Sequence, residues 1–177
     1  MYPLKTVAIL TANAALSSIL SMMLREERGL RVRCFADAES LSRYMRIAAV
    51  ELLICDFDLK VERADWLVAR LRSDELIENR RFQVIMLAGS VDRKMQGRVV
   101  RSGIDEVLVK PASPAHVRER VLARIGAGVS YVSAPTGYVG PDRRRLRDHA
   151  PDIEPVSGEV IDFARYAKRR AEDRLPR

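Results

Sequence analysis

The stretch Ser102-Gly-Ile-Asp-Glu-Val-Leu-Val-Lys-Pro111 contains the signals that decide the fold. Gly103 follows a run with helical periodicity, and glycine is favoured just past the C-terminus of a helix. Val107-Leu-Val109 is a short apolar run, as expected for a strand covered on both faces. Lys110-Pro111 then ends the strand and places a charged side chain at its carboxyl end. The stretch therefore predicts a helix, a turn and a buried strand that ends in a lysine.

The same alternation of helix and apolar run occurs throughout the first 126 residues. Asp37 is suited to cap the second helix, and Ser113-Pro114 places a cap before a proline at the first helical position of the fifth. Each apolar run is short enough to be a strand, and each intervening segment repeats its apolar residues at helical spacing. The predicted strands cover residues 7–10, 30–34, 52–55, 84–87 and 107–109.

Five strands in strict alternation with five helices predict a parallel sheet with right-handed crossovers and helices on both faces. Residues 30–34 alternate apolar and basic side chains, which favours an edge strand with one face in water. These features indicate a flavodoxin-like α/β fold with strand order 2-1-3-4-5 and a C-terminal extension. In this topology Thr11, Asp56, Ala88 and Lys110 should converge at the carboxyl ends of the strands.

Composition limits the classes of protein that the chain can represent. Apolar residues make up 47% of the 177 residues, which is enough for a sizeable core. The 31 Lys and Arg outnumber the 24 Asp and Glu, so the net charge of +7 favours acidic partners without choosing among nucleic acid, nucleotide and protein. No run is long and apolar enough to span a bilayer. Cys34 and Cys55 lie in apolar runs and are interpreted as buried, inert thiols. We therefore expect a soluble cytoplasmic protein.

The sequence around the strand ends resembles the receiver domains of bacterial response regulators, of which the chemotaxis response regulator is the simplest. The resemblance covers about residues 4–126 and rests on Glu51-Leu-Leu-Ile-Cys-Asp56, Val84-Ile-Met-Leu87 and Ser102–Pro111. It implies that Asp56 accepts a phosphoryl group and that Lys110 binds the phosphoryl oxygens. It also implies a cis peptide bond before Pro111, a histidine kinase or downstream target as protein partner, and a signalling protein that is not itself an enzyme.

The sequence departs from the receiver pattern at the metal site. Receiver domains place two acidic residues after the first strand to hold a divalent metal, and these positions are Thr11 and Ala12 here. Magnesium is usually held by one or two carboxylates, with waters and phosphate oxygens completing the octahedron. Asp56 would be the main ligand, and Asp58 is the residue whose carboxylate could partly replace the missing pair. The sequence predicts a weak Mg²⁺ site or none.

Two further positions of the receiver pattern are substituted. The hydroxyl residue that follows the fourth strand in the family aligns with Ala88, and the aromatic residue in the fifth strand aligns with Val107. The usual relay between a hydroxyl group and an aromatic ring therefore lacks both of its parts. The leading hypothesis is an atypical receiver that acts as a protein-interaction adaptor with weak or no metal-dependent phosphorylation. The alternative is a conventional phosphoacceptor at Asp56.

The chain after the receiver-like domain of residues 1–126 has a different character. Residues 127–157 are interpreted as a flexible basic linker and residues 158–177 as a short amphipathic helix or a disordered tail. An Arg-x-x-Asp pattern with Asp148 resembles one in cyclic-dinucleotide sites, so a third hypothesis is a nucleotide or nucleic-acid binder. A homodimer also remains open, and Trp66 is assigned a packing role, with an interface anchor as the alternative. The candidate phosphate-binding residues in the tail are Arg143, Arg144, Arg145 and Arg147.

Overall fold

A computed structural model describes residues 4–134, 137–143 and 160–162 of the chain. Strands and helices alternate up to residue 126, and three short strands follow. The strands are β1 (Lys5–Leu10), β2 (Leu30–Phe35), β3 (Leu52–Asp56), β4 (Gln83–Ala88), β5 (Glu106–Val109), β6 (Tyr131–Ser133), β7 (Val139–Pro141) and β8 (Val160–Asp162). The helices are α1 (Ala14–Arg25), α2 (Ala38–Met45), α3 (Ala64–Ser73), α4 (Arg93–Ser102) and α5 (Pro114–Gly126).

The first five strands form a parallel sheet in the order β2-β1-β3-β4-β5. The flavodoxin-like fold and its strand order are therefore confirmed, with β2 at the predicted edge. The opposite edge differs from the prediction because β8 pairs antiparallel with β5. The parallel order brings the carboxyl ends of β1, β3 and β5 to one end of the sheet, where the candidate site lies.

Local signals in the sequence account for the helix ends. The Asp37 side chain accepts a hydrogen bond from the backbone N–H of Ser40 at 2.7 Å, and so caps α2. Ser113 caps α5 in the same way, with Pro114 at the start of the helix. Gly103 ends α4 with a φ of 76°, in the left-handed region that favours glycine. These predicted caps and the predicted stop are confirmed.

The core lies on both faces of the sheet, because successive strand residues point to opposite sides. In β3, Leu52 and Ile54 pack in the cluster that includes residues of α1 and α5. Leu53 and Cys55 pack in the cluster that includes residues of α2, α3 and α4. All four side chains are almost completely buried. Their burial explains why this strand reads as a continuous apolar run.

The chain after α5 differs from the predicted linker and tail helix. Residues 131–133 and 139–141 pair as an antiparallel hairpin, and residues 160–162 form a strand where the tail helix was predicted to start. The linker prediction rested on Gly, Pro and Ser composition, which is equally typical of a short hairpin. Strands of three residues are too short to show a period of their own. Residues 144–159 and 163–177 lie outside the described residues.

The prediction that Cys34 is buried is wrong, and Trp66, which was assigned a packing role, is largely exposed. Cys34 is exposed because it lies near the end of an edge strand in which only Val32 is buried. Trp66 is 61% exposed, and the guanidinium of Arg63 lies 4.6 Å from the centroid of its ring. Cys55 is buried as predicted, and burial, with a smaller contribution from the charge of Asp56, raises the pKa of its thiol to about 12. Among the described residues, no helix combines the length and apolar character needed to cross a membrane.

Candidate functional site

Strand register brings four predicted site residues together at the carboxyl end of the sheet. Leu10 pairs with Cys55, so Thr11 and Asp56, which follow them, are neighbours. On the other side of Asp56, the backbone N–H of Lys110 donates to the carbonyl of Ala88 at 2.7 Å. Lys110 therefore follows β5 at a point next to the end of β4. Its long side chain extends from there to Asp56 at the end of β3. The predicted convergence of these four residues is borne out by the geometry.

Both carboxylate oxygens of Asp56 have partners within the chain. Lys110 Nζ lies 2.5 Å from Oδ1, and the hydroxyl of Thr11 donates a hydrogen bond to Oδ2. Asp56 is only 5% exposed, whereas the Lys110 side chain is 41% exposed. Solvent therefore reaches the site from the lysine side. A cation and a hydroxyl group together compensate the burial of the aspartate charge.

The loop after β1 holds Thr11 in place. The backbone N–H of Asn13 donates to Thr11 Oγ1 at 3.1 Å, and the Asn13 side chain accepts from the N–H of Leu16 at 3.0 Å. Asn13 is the cap of α1, so the Thr11 hydroxyl is linked to the start of this helix. The hydroxyl thus accepts one hydrogen bond and donates one, to Asp56. The loop after β1 therefore orients a neutral hydrogen-bond donor toward Asp56.

The residues of the site do not fit the magnesium site of the receiver family. Thr11 directs its proton to Asp56, and Ala12 has no donor atom for a metal. Asp58 is exposed, and its backbone pairs with that of Arg63 in an isolated bridge. Within residues 4–134, 137–143 and 160–162, no group of three or more His, Cys, Asp or Glu residues is arranged to hold a metal ion. These residues offer too few oxygen ligands for Mg²⁺, a hard cation that requires several.

The remaining features of the site agree with its sequence. The peptide bond between Lys110 and Pro111 is cis, as the resemblance implies. Ala88, at the end of β4, is 1% exposed, and Val107 in β5 is fully buried. Both belong to the core cluster on the side of α2, α3 and α4. Neither side chain carries a polar atom, so both belong to the hydrophobic core and not to the polar part of the site.

A second buried aspartate lies at the opposite end of the sheet, and sequence reasoning missed its role. Asp105 precedes β5 and is 4% exposed. Its Oδ2 accepts from the backbone N–H of Val84 at 2.8 Å and lies 3.6 Å from the Arg72 guanidinium. Its Oδ1 accepts from the Tyr131 hydroxyl at 2.6 Å. Burial raises the pKa of the Asp105 carboxyl, and the charge of Arg72 and the bond from Tyr131 act against that rise.

Arg72 is the centre of this second cluster. It is 2% exposed and donates to the carbonyls of Arg80 at 2.8 Å, Phe82 at 2.9 Å and Gly103 at 2.8 Å. Its guanidinium lies 4.5 Å from the ring centroid of Phe82 and 5.2 Å from that of Tyr131. A planar fork with five donors suits this arrangement better than an ammonium group would. Arg72 therefore joins α3, the segment before β4, the turn before β5 and the hairpin.

The hairpin of β6 and β7 docks on this cluster. A Cβ atom placed on Gly103 would lie 2.5 Å from the carbonyl oxygen of Val139, so only glycine allows this approach. Arg143 donates to the carbonyl of Ile104 at 2.6 Å. The first of the four candidate tail arginines is thus used within the fold. The other three, Arg144, Arg145 and Arg147, lie outside the described residues, so the nucleotide hypothesis remains a prediction.

The start of β5 carries a further buried charge. Glu106 is fully buried, and its carboxylate accepts from Arg120 Nε at 2.5 Å and from Arg124 Nε at 2.6 Å. Both arginines lie on α5 and are separated by one helical turn. The two guanidinium groups compensate the charge of the buried Glu106 carboxylate.

Comparisons with known proteins agree with the fold. The family model described as response regulator receiver domain matches residues 7–122. A putative response regulator from Chloroflexus aurantiacus is 24% identical, with a TM-score of 0.60, and the match covers 71% of this chain and 100% of that one. A response regulator receiver protein from Pseudomonas putida is 22% identical, with a TM-score of 0.60 and coverage of 70% and 99%.

A third structure, the chemotaxis protein CheY4 from Vibrio cholerae, is 18% identical, with a TM-score of 0.60 and coverage of 68% and 98%. At these identities the three structures support the fold alone. No curated protein matches the chain in sequence. The family match itself spans more than half of the 177 residues and includes both Asp56 and Lys110. The chain therefore belongs to the response regulator receiver domains of two-component signalling.

Proposed function

We propose that this receiver domain is an adaptor that signals by binding a partner protein, and that Asp56 is not an efficient magnesium-dependent phosphoacceptor. The proposal includes that the chain is not itself an enzyme. The observation that carries it is that both oxygens of Asp56 are held by the chain's own donors, Thr11 and Lys110. The partner is a histidine kinase or a downstream target, the two classes that receiver domains bind.

The chemistry of phosphoryl transfer supports the proposal. Transfer to an aspartate depends on alignment and on neutralising the charge of the incoming group, and a metal ion usually supplies much of that charge. Here Lys110 supplies one positive charge, and Thr11 supplies a neutral hydroxyl where a metal-binding carboxylate stands in the family. Attack by Asp56 would also require Thr11 to give up its hydrogen bond. The barrier should therefore be higher than in a receiver with an intact acid pair.

The second candidate function is conventional phosphoacceptance at Asp56. The observation that favours it is the pairing of Asp56 with Lys110 at 2.5 Å, which keeps the nucleophile and the phosphoryl-binding cation together. The 41% exposure of the Lys110 side chain leaves a route by which a phosphodonor approaches. The two candidates differ in a property that can be measured directly.

The test uses a small-molecule phosphodonor, Mg²⁺ and intact mass measurement. Three proteins are compared: the wild type, the Asp56→Asn variant, and a variant with both Thr11→Asp and Ala12→Asp. We expect no phosphoryl adduct on the wild type above the Asp56→Asn background. The double variant restores the acid pair and should gain an adduct that disappears when the metal is chelated.

The control for the double variant is the same pair of substitutions combined with Asp56→Asn, which should show no adduct. A phosphoryl adduct on the wild type that requires Asp56 and Mg²⁺ would refute the adaptor proposal and support the second candidate. An adduct on neither the wild type nor the double variant would show that the missing acid pair is not what limits transfer.

A further inference from the structure

β2, the strand Leu30–Phe35, lies at one end of the sheet, and among the described strands its only neighbour is β1. An edge strand presents a row of N–H and C=O groups to whatever lies beside it. Only Val32 of this strand is buried, whereas Arg31, Arg33 and Cys34 are exposed. The middle of the strand is therefore accessible from the outside of the sheet.

The two sides of β2 differ in their chemistry, because successive residues of a strand point to opposite faces of the sheet. Val32 packs in the core cluster that includes residues of α1 and α5, so Cys34 points to that side. Phe35 packs against the cluster on the side of α2, α3 and α4, so Arg31 and Arg33 point to that side. The edge thus presents a thiol on the α1 side and two guanidinium groups on the α2 side.

The charges of Arg31 and Arg33 are not paired within the described part of the chain. Neither side chain forms an ion pair or a hydrogen bond with another described residue. By contrast, Arg43 of the neighbouring helix α2 lies 3.9 Å from Glu39. Residues two apart in a strand are separated by about 7 Å. Acidic residues at the same spacing on an added strand would therefore meet both arginines.

A cavity of about 910 Å³ lies on the other side of β2, between the end of this strand and α1. Cys34 lines it from β2, and Ser17, Ser21 and Met22 line it from α1. Its volume is within the range of about 300–1,000 Å³ that is typical of ligand sites. The charged residues of its lining are Arg25, Glu26 and Lys60. The cavity therefore has room for side chains of a segment that pairs with β2.

We propose that the outer edge of β2 binds an extended acidic segment of a partner protein, which adds a strand to the sheet. Neighbouring residues on paired strands share a face of the sheet. The residues of the segment beside Arg31 and Arg33 are therefore acidic, and the residue between them points to the cavity beside Cys34. Such a segment alternates acidic and uncharged residues. The inference rests on the proposed adaptor function and names a surface that binds the partner.

The same side chains argue against a second copy of the chain as the occupant. Two copies of β2 paired antiparallel about Val32 would place Arg31 of each copy opposite Arg33 of the other. Like charges directly opposite each other destabilise a pair of strands, and charged residues are a common means of preventing edge strands from associating. The two arginines therefore oppose self-association and favour an acidic partner at once.

The test uses the full chain and a fluorescent nine-residue peptide in which glutamate alternates with valine. The control peptide has lysine in place of glutamate. The charge-reversed variant carries Arg31→Glu and Arg33→Glu. Its matched control carries Arg93→Glu and Arg101→Glu, which change the net charge equally at two exposed positions of α4. Binding is followed by fluorescence anisotropy without phosphodonor or metal, so the result does not depend on the chemistry of Asp56.

We expect the wild type and the α4 control to bind the acidic peptide equally. The charge-reversed variant should bind it about tenfold or more weakly, because two attractions become repulsions. The lysine peptide should show the opposite preference. A variant with Arg31→Gln and Arg33→Gln should lie between, which guards against misfolding of the charge-reversed protein. Amide hydrogen exchange in residues 30–35 of the wild type should slow when the acidic peptide binds.

Cys34 provides a second readout, of the face to which each peptide residue points. The acidic peptide is made with a cysteine at an uncharged or at an acidic position, as a mixed disulfide with thionitrobenzoate. Attack by the Cys34 thiolate forms a disulfide with the peptide and releases thionitrobenzoate, whose absorbance gives the rate. Release should be faster from the uncharged position. It should be absent in Cys34→Ser, because Cys55 is buried.

Three results would overturn the proposal. One is equally tight binding of the acidic peptide by the wild type and the charge-reversed variant. Another is an absence of binding to the wild type up to millimolar peptide. The third is release of thionitrobenzoate at the same rate from both cysteine positions, with slowed exchange outside residues 30–35. Any of these would leave the adaptor function to the phosphorylation test, and a phosphoryl adduct on the wild type would leave binding at β2 standing.

Discussion

Two buried aspartates lie at opposite ends of the same sheet and have the same kinds of partner. Asp56, at the carboxyl ends of the strands, contacts the ammonium of Lys110 and the hydroxyl of Thr11. Asp105, at the amino ends, contacts the guanidinium of Arg72 and the hydroxyl of Tyr131. Each aspartate therefore has one cation and one hydroxyl group, contributed by parts of the chain distant in sequence.

The two clusters differ in their access to solvent. The Lys110 side chain is 41% exposed, so the charge it shares with Asp56 borders on water. The Arg72 side chain is 2% exposed and is covered by the hairpin, and Asp105 also accepts from the backbone N–H of Val84. An accessible cation can meet a ligand, whereas an enclosed one can only hold the fold together. The same set of groups thus serves as a candidate binding site at one end and as a structural anchor at the other.

Removal of the two cations should have very different effects. We expect Arg72→Ala to lower the free energy of unfolding by about 3–5 kcal/mol, because it leaves the buried charge of Asp105 uncompensated. Lys110→Ala should cost about 0–1 kcal/mol, because water can solvate Asp56 in the space left by the partly exposed lysine. Urea denaturation followed by circular dichroism measures both values. Arg72→Lys keeps the charge but loses hydrogen bonds to the three carbonyls, so its loss of stability should lie between those of the two alanine variants. Equal losses for Arg72→Ala and Lys110→Ala would contradict the distinction between the clusters.

The next largest effect concerns the contact that closes the second cluster. Gly103 has a φ of 76°, and a Cβ atom there would lie 2.5 Å from the carbonyl oxygen of Val139. Gly137 has a φ of 81°, and an added Cβ would have no atom within 4 Å. Gly137→Ala should therefore cost about 1 kcal/mol from the left-handed backbone alone. Gly103→Ala should cost about 2–3 kcal/mol, because the hairpin must also move.

The matched pair separates backbone strain from docking. Hydrogen exchange in the hairpin should be faster in Gly103→Ala than in Gly137→Ala. Similar stability and similar exchange in the two variants would mean that the approach of Val139 to Gly103 does not hold the extension to the domain.

The carboxyl-end cluster could be predicted from the sequence, because its position follows from topology. Apolar runs defined the strands, Gly103 and Ser113-Pro114 defined helix ends, and parallel order then placed Asp56 and Lys110 together. Each of these inferences uses a local signal combined with a rule about sheets. The hydrogen bond from Thr11 to Asp56 could not be predicted, because it depends on how Asn13 caps the following helix.

The amino-end cluster could not be predicted, because its partners have no local signal. Arg72 reads as an ordinary polar residue beside the apolar stripe of α3, and Asp105 as part of a polar turn. Tyr131 lies in a segment whose composition suggested a linker. These residues meet only through a hairpin of two three-residue strands, which are too short to show a period. The pairing of β8 with β5 was missed for the same reason, since residues 160–162 also fit a helical pattern.

Loss of the hydroxyl group at the second cluster should have a smaller effect than Arg72→Ala or Gly103→Ala, and this effect should depend on pH. Burial raises the pKa of Asp105, and the hydrogen bond from Tyr131 opposes that rise. Tyr131→Phe should lower the free energy of unfolding by about 1–2 kcal/mol near neutral pH. It should also raise the pKa of Asp105 further, so Asp105 stays protonated to a higher pH in the folded variant than in the unfolded chain.

Between the pKa of Asp105 in the unfolded chain and its raised pKa in the folded protein, stability falls as pH rises, because the folded state holds more protons than the unfolded state. The difference between wild type and Tyr131→Phe should therefore be smallest at acid pH, where Asp105 is protonated in both, and should grow as pH rises through the pKa of Asp105. Urea denaturation at a series of pH values measures this difference. Tyr138→Phe is the control, because the Tyr138 hydroxyl donates to the carbonyl of Pro141 at 3.3 Å and has no carboxylate partner in the described residues. A difference that stays constant with pH would show that the Tyr131 hydroxyl does not act on the charge of Asp105.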